Sequence, residues 1–311
     1  MRFAPLLSLL AVTACASSSD KGSEFSFIPE GAEYAPWQVS DQGATGDGGI
    51  GITMASLDRQ IRAWSNIELK GGDDSTLAAQ RRIAQKIGND TAKKFSIVEQ
   101  QLQSGPLYNR QVAAMALGFT ENPRALPPLL LALGDLEPAV VANAALGLSR
   151  LSMSETDLTP LLTKIDMEQP TRVRVNASLA IKNVIKAGNK GEGAARQLRR
   201  GLLDEEAGVR VHCALALAHL NDAESVADLV LLLNDPMPLV GKVAAASIVT
   251  IGSQDLHAKG PAARGLAMAL QDAKGDQARL LIESLQFLSE RNYGDDKTEW
   301  LQWALSKTPE N

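Results

Sequence analysis

The chain has 311 residues, 45% of them hydrophobic but only 4% aromatic, and a formal net charge of −5. Alanine alone fills 44 positions and the aromatics number thirteen. A core of small aliphatic side chains suits closely packed helices and excludes a β-sandwich or barrel, which draws on β-branched and aromatic residues. The acidic balance excludes a global nucleic-acid footprint, and two cysteines exclude a disulfide-dense fold.

Residues 1–14 read as an export signal. Arg2 supplies a short positive start, and Phe3 to Ala14 is an uncharged apolar run. That run is shorter than the roughly 20 residues a spanning helix needs. It closes on Val12, Thr13 and Ala14 before Cys15. The pattern resembles the bacterial lipoprotein box, in which the chain is cut before the cysteine and its thiol carries a diacylglycerol. The resemblance implies that Cys15 is a lipid anchor; the alternative is an ordinary cleaved signal with a chance cysteine. Two or three acyl chains hold a protein on a membrane far more firmly than one. Ala16 in place of Asp gives no inner-membrane retention signal, so the expected address is the periplasmic face of the outer membrane.

Residues 15–52 follow as an expected disordered, lipid-anchored tether. They are rich in Ser, Gly and acid and show no helical period. A coil of this length spans about 33 Å. Residues 16–52 hold six acids and one lysine, so the acidity of the chain is concentrated here. Gly46, Gly48 and Gly51 match G-x-G-x-x-G by spacing but lack the strand-to-helix context of a nucleotide loop. Trp37 either docks the tether on the folded body or stays mobile.

Residues 53–104 are expected to form N-terminal helices and a degenerate capping repeat, and 105–286 a repeating array. Reading from Gln111, Val140, Val173, Val209 and Gly241, the columns align without gaps. One holds Ala113, Ala142, Val175, Val211 and Val243; another holds Leu117, Leu146, Leu179, Leu215 and Ser247. The copies start 29, 33, 36 and 32 residues apart. An all-helical repeat of this length is the signature of an α-solenoid. A second, leucine-striped helix separates the copies, as in P-R-A-L-P-P-L-L-L-A-L. Acid and proline turns such as Gly134–Pro138 and Asn234–Pro238 stop one helix and start the next.

The unit L-L-x-D-x-x-x-x-V-R-x-x-A-A-x-A-L resembles the HEAT repeat, in the bacterial form shared with phycobilisome-lyase-like repeats. It is clearest in R-G-L-L-D-E-E-A-G-V-R-V-H-C-A-L-A-L. The resemblance implies an all-α fold, an α-solenoid of HEAT-like helical hairpins wound as a right-handed superhelix. It also implies an Asp–Arg ladder between neighbours: Asp204 precedes Arg210 by six residues, Asp235 precedes Lys242 by seven, and Val141 breaks the row. Leu285 to Lys307, with a Tyr-Gly-x-Asp turn before a helix holding two tryptophans, resembles the terminal segment of some secreted bacterial HEAT proteins, and 287–311 is the expected C-terminal capping helix. There Asp296 or Thr298 caps a helix, and Trp300 and Trp303 either close the last repeat's core or present an aromatic platform.

Catalytic chemistry is hard to find. His212 and His219 share a helix face beside Cys213, but a metal site wants three or four converging groups, and Cys213 falls in a small-residue core column. The acid pairs Asp73-Asp74 and Asp295-Asp296 sit in turns, as helix caps do. No catalytic residue, metal or cofactor is therefore assigned. Arg174, Arg210 and Lys242 occupy equivalent positions and stack either as the ladder or as a basic stripe that takes an acidic peptide or glycan. Asn176 and His212 share a polar row on the inner surface. The expected function is a non-enzymatic, membrane-anchored scaffold in the bacterial cell envelope. It engages an unidentified protein or peptide through Arg174, Arg210, Lys242, Asn176, His212, Trp300 and Trp303, with no nucleic acid. The alternative is an enzyme-accessory or lyase-like protein that handles a cofactor or chromophore.

Overall fold

The computed structural model describes residues 48–70 and 73–306. Cys15, the lipoprotein box, Trp37 and most of the expected tether lie outside the described residues. All regular structure among the described residues is helical. The chain divides into two compact units, one running to Lys190 and one from Gly191.

The N-terminal unit opens with α1 (Gly48–Lys70), α2 (Asp74–Lys93) and α3 (Phe95–Ser104). The start of α1 corrects the expected tether boundary at 52. Gly48, Gly49 and Gly51 are poor helix formers, but the stripe Met54, Leu57, Ile61 and Trp64 is buried at helical spacing. Tertiary packing therefore carries the helix back into glycine-rich sequence. It also removes Gly48 and Gly51 from any phosphate loop. Asp73 caps α2 by accepting the Thr76 amide at 2.9 Å, and that bond holds its carboxyl down to about 2.

Hairpins of one short and one long helix follow. The long members α4 (Leu107–Leu117), α6 (Pro138–Leu151) and α8 (Thr171–Lys186) pack in succession, α4 on α6 and α6 on α8. The short members α5 (Leu126–Ala132) and α7 (Thr159–Leu162) lie against α6 and α8 respectively. Long helices form the inner layer because their alanine columns are buried without residue: Ala113, Ala116, Ala142, Ala145, Ala177 and Ala180 are all fully covered. Small side chains allow close helix approach, and the glycines sharpen it. A methyl group added at Gly118 would collide with the backbone of Gly147.

The C-terminal unit repeats the scheme. Short helices α9 (Ala195–Gly201) and α11 (Val226–Leu231) pair with long α10 (Ala207–Leu220) and α12 (Pro238–Gln254). The array continues through α13 (Leu256–Asp272) and α14 (Gly275–Ser289), which carries the last repeat past its expected end at 286. It ends in α15 (Lys297–Leu305), packed on α13. Each unit is thus a stack of helical hairpins, the α-solenoid architecture expected from the repeats.

Candidate binding surface

The arginines of the repeats are anchored first by backbone. Arg110, Arg174 and Arg210 each stand four residues after the residue preceding their helix, and each donates from Nη1 to the carbonyl five residues back. The acceptors are Gly105 (3.0 Å), Gln169 (2.8 Å) and Glu205 (3.0 Å). Two of them also fork onto an aspartate 25 residues ahead. Arg210 meets both Asp235 oxygens at 2.8 Å, and Arg110 meets Asp135 at 2.9 and 3.2 Å. The planar guanidinium suits this double duty. Arg174 and Arg210 are 2% and 8% exposed, so they tie repeats together and are not a surface stripe. The ladder runs from Arg110 and from Arg210 to the aspartate of the next repeat.

Arg110 is the member that sequence reasoning missed. The Ala–Leu columns placed Val112 opposite Arg174, a register two residues off. Counting from the residue before each helix (Pro106, Pro170, Glu206) brings Arg110 into line. Lys242 is half-buried and makes no ion pair among the described residues.

Asn176 and His212 are also corrected from surface to interior. Asn176 has no exposed surface and donates to the Ala142 carbonyl at 2.9 Å; His212 is 4% exposed. Asn143 donates to Gln111 O (3.3 Å), Asn183 to Ser149 O (3.0 Å) and Ser247 to Ala214 O (3.2 Å). Such bonds pin α6, α8 and α12 to the inner helix before them. Burial makes them directional, because an unmet amide in the core is expensive.

The tryptophans belong to the C-terminal cap. Trp300 is fully buried and Trp303 6% exposed, so neither forms a surface platform. The Trp300 indole donates to Gly294 O at 3.0 Å and meets Tyr293 and Trp303 edge-on at 4.9 and 6.1 Å. Asp296, not Thr298, caps α15 by accepting the Thr298 and Glu299 amides. Cys213 is wholly buried, and burial pushes its thiol far above the ordinary range. Among the described residues no three His, Cys, Asp or Glu side chains gather closely enough to hold a metal.

The charge that remains on the inner helices is concentrated in the N-terminal unit. Helices α6 and α8 carry Arg150, Arg172, Arg174, Lys182 and Lys186 and no acid at all. On α8, Arg172, Val175, Leu179, Lys182 and Lys186 recur at spacings of three and four, so they form one stripe. At the end of α6, the Arg150 guanidinium lies 5.3 Å from the Trp64 ring and 5.1 Å from the Phe119 ring. Those rings meet edge-on at 5.2 Å, a cation–π cluster of ordinary geometry. The C-terminal unit offers an open groove of about 590 Å³ lined by Lys274, Arg279, Glu283, Asp295 and Lys297. Its charges are mixed, and the Lys297 ammonium is already bonded to Gln271 O and Ala273 O.

A family model for HEAT repeats matches residues 96–182. No curated protein matches the chain. Among solved structures, a designed armadillo repeat protein in complex with the peptide (KR)4 is similar at 18% identity and a TM-score of 0.44, covering 63% of this chain and 99% of its own. The complex of CpcE and CpcF of phycocyanin lyase from Nostoc sp. PCC7120 matches at 18% identity and 0.39, covering 79% and 93%. An engineered protein matches at 18% and 0.44, covering 85% and 75%. At these values the likenesses carry neither activity nor partner.

Proposed function

We propose that this protein is a non-enzymatic scaffold, anchored through a lipid on Cys15 in the bacterial cell envelope, that holds an acidic extended segment of a partner protein. The observation that carries the reading is the acid-free helix pair α6 and α8, which reaches the surface through Arg172 and Lys186 at the two ends of α8. A stacked array offers an extended surface, and a single sign of charge on it attracts and orients a partner of the opposite sign. The same helices weigh against a cofactor- or chromophore-handling role, because α6 and α8 hold no aromatic and no acid. Among the described residues no helix is long and apolar enough to cross a membrane; the proposed attachment is the lipid.

Titration with a fluorescein-labelled Glu-rich peptide at low salt tests the surface. Arg172→Glu with Lys186→Glu should weaken binding at least about tenfold, as like-charge juxtaposition costs several kcal/mol, while Lys242→Glu should leave it unchanged. Equal affinity in both variants would sink the assignment. Cell fractionation of Cys15→Ser tests the anchor separately. Release of the variant from a membrane that retains the native protein is expected, and a native protein already soluble overturns it.

A further inference from the structure

Helices α1 and α2 carry a surface charge that the stack does not need. Both pack on α4, and Met54, Leu57, Ile61 and Trp64 of α1 and Ile87 of α2 are buried. Their solvent side holds Arg59, Arg62, Arg81, Arg82, Lys86 and Lys93, all exposed. No exposed carboxylate accompanies them between Gly48 and Ile67 or between Ser75 and Lys93. Asp58 is buried, and Asp90 is half-buried and bonded by Lys86 at 2.6 Å and Gln60 at 3.1 Å. Asp73 and Asp74 lie at one end, where Asp73 caps α2. A terminal cap needs a polar outer face, but of no particular sign. Composition does not supply the bias either, since the chain has 36 acids to 31 lysines and arginines.

These bases line up. On α2, Arg82, Lys86 and Lys93 recur at intervals of four and seven and form one stripe, with Arg81 beside it. On α1, Arg59 shares a face with Ile52, which is 71% exposed. The two helices lie side by side, tied by Gln60 to Asp90 and by Lys94 Nζ to Thr53 Oγ1 at 2.7 Å. Each is about 30 Å long or more. Arg62 and Lys86 are paired on their own helices with Asp58 and Asp90, whereas Arg59, Arg81, Arg82 and Lys93 make no ion pair among the described residues.

We propose that this face of α1 and α2 docks on a bilayer that bears anionic headgroups. Long, flexible bases spread over two adjacent helices match an array of phosphates, which asks for charge and not for a pocket. Ile52 adds an apolar side chain able to enter the headgroup boundary. A peptide ligand is held by anchors in well-packed pockets, and the aromatics nearby, Trp64 and Phe95, are buried. The inference goes beyond the scaffold reading and rests neither on α8 nor on a lipid at Cys15.

The test is co-sedimentation of the full chain carrying Cys15→Ser, so that no lipid contributes. The vesicles are phosphatidylcholine alone or phosphatidylcholine with phosphatidylglycerol; the neutral set measures whatever the apolar N-terminal run adds. Binding should be stronger on the anionic vesicles, and that excess should fall as salt shortens the Debye length. Arg81→Glu with Arg82→Glu and Lys93→Glu should weaken it at least about tenfold, since each base near such a surface is worth about fivefold. Glutamine at the same three positions should weaken it less. A control of equal charge change, Arg196→Glu with Arg200→Glu and Lys274→Glu, should stay within about twofold of the parent, with thermal midpoints unchanged in all. No preference for the anionic vesicles, or equal loss in the face variant and the control, overturns the proposal. So does a labelled Glu-rich peptide that loses affinity in the face variant while vesicles fail to bind, because that outcome gives the surface to an acidic chain.

Discussion

The inner helices of the two units share a skeleton and differ in surface. Both carry the forked arginine, Arg110 to Asp135 in one and Arg210 to Asp235 in the other. Both carry side-chain donors onto the preceding inner helix, Asn176 in one and Ser247 in the other. The stripe that in α8 reads Arg172, Val175, Leu179, Lys182, Lys186 reads Val240, Val243, Ser247, Thr250, Gln254 in α12. What recurs is what the stack needs, and the basic charge on α8 does not recur in α12. A repeat protein thereby separates stability from specificity at the level of single columns.

If the ladder is the shared structural device, cutting it is the largest single effect available. Arg210 and Asp235 have side chains only 10% and 5% exposed. Removing one partner of a buried pair strands the other, and Arg210→Ala should lower unfolding stability by about 3–5 kcal/mol. The Arg110–Asp135 pair is wetter, at 22% and 14%, so Arg110→Ala should cost less, about 1.5–3 kcal/mol. Urea unfolding at matched slope measures both. A ladder that costs nothing in either unit breaks the comparison at its base.

Close packing in the C-terminal unit supplies the next effect. A methyl group at Gly201 would press on the Cys213 sulfur, and both residues lie in the core. Gly201→Ala should destabilise by about 1–3 kcal/mol. Adding Cys213→Ala removes the obstructing atom, so the double variant should recover part of that loss. Additive losses would place the strain elsewhere. Smaller again are the cross-helix donors. Asn176→Ala removes a buried bond to a carbonyl that keeps its own helix partner, and should cost about 0.5–1.5 kcal/mol. Ser247→Ala should fall in the same range, because its hydroxyl makes the same kind of bond, to the Ala214 carbonyl, from a different column.

Much of this architecture is written in the sequence, and the failures have common causes. Alanine and leucine columns reveal the hairpins because close packing admits few other side chains. They do not reveal the register of the first copy. Alanine fills several adjacent columns, so a two-residue slip still matches, and the polar landmark Arg110 was lost with it. The burial of Asn176 and His212 was illegible because polar residues at helical spacing look the same whether they meet solvent or a neighbouring carbonyl. The Trp64–Phe119–Arg150 cluster joins residues 64, 119 and 150, and no local pattern links such distant positions. The α1 stripe was legible as a period, but glycines at 48, 49 and 51 hid its start.

Lys242 gives the finest test of the comparison. The Ala–Leu columns align it with Arg174 and Arg210, and a sequence argument assigns all three the same role, but it stands five residues after Met237 where they stand four after Pro170 and Glu206. It differs in three physical respects. Its ammonium has no fork with which to hold a carbonyl and a carboxylate together. The aspartate of its own turn, Asp235, is already held by Arg210. Its side chain is half-buried, where Arg174 and Arg210 are buried. Lys242→Ala should therefore change stability by no more than about 0.5 kcal/mol, as at ordinary surface positions. A loss comparable to that of Arg210→Ala would mean that column position, and not guanidinium geometry, sets the ladder. The division between structural and recognition columns would then need redrawing from α12 outward.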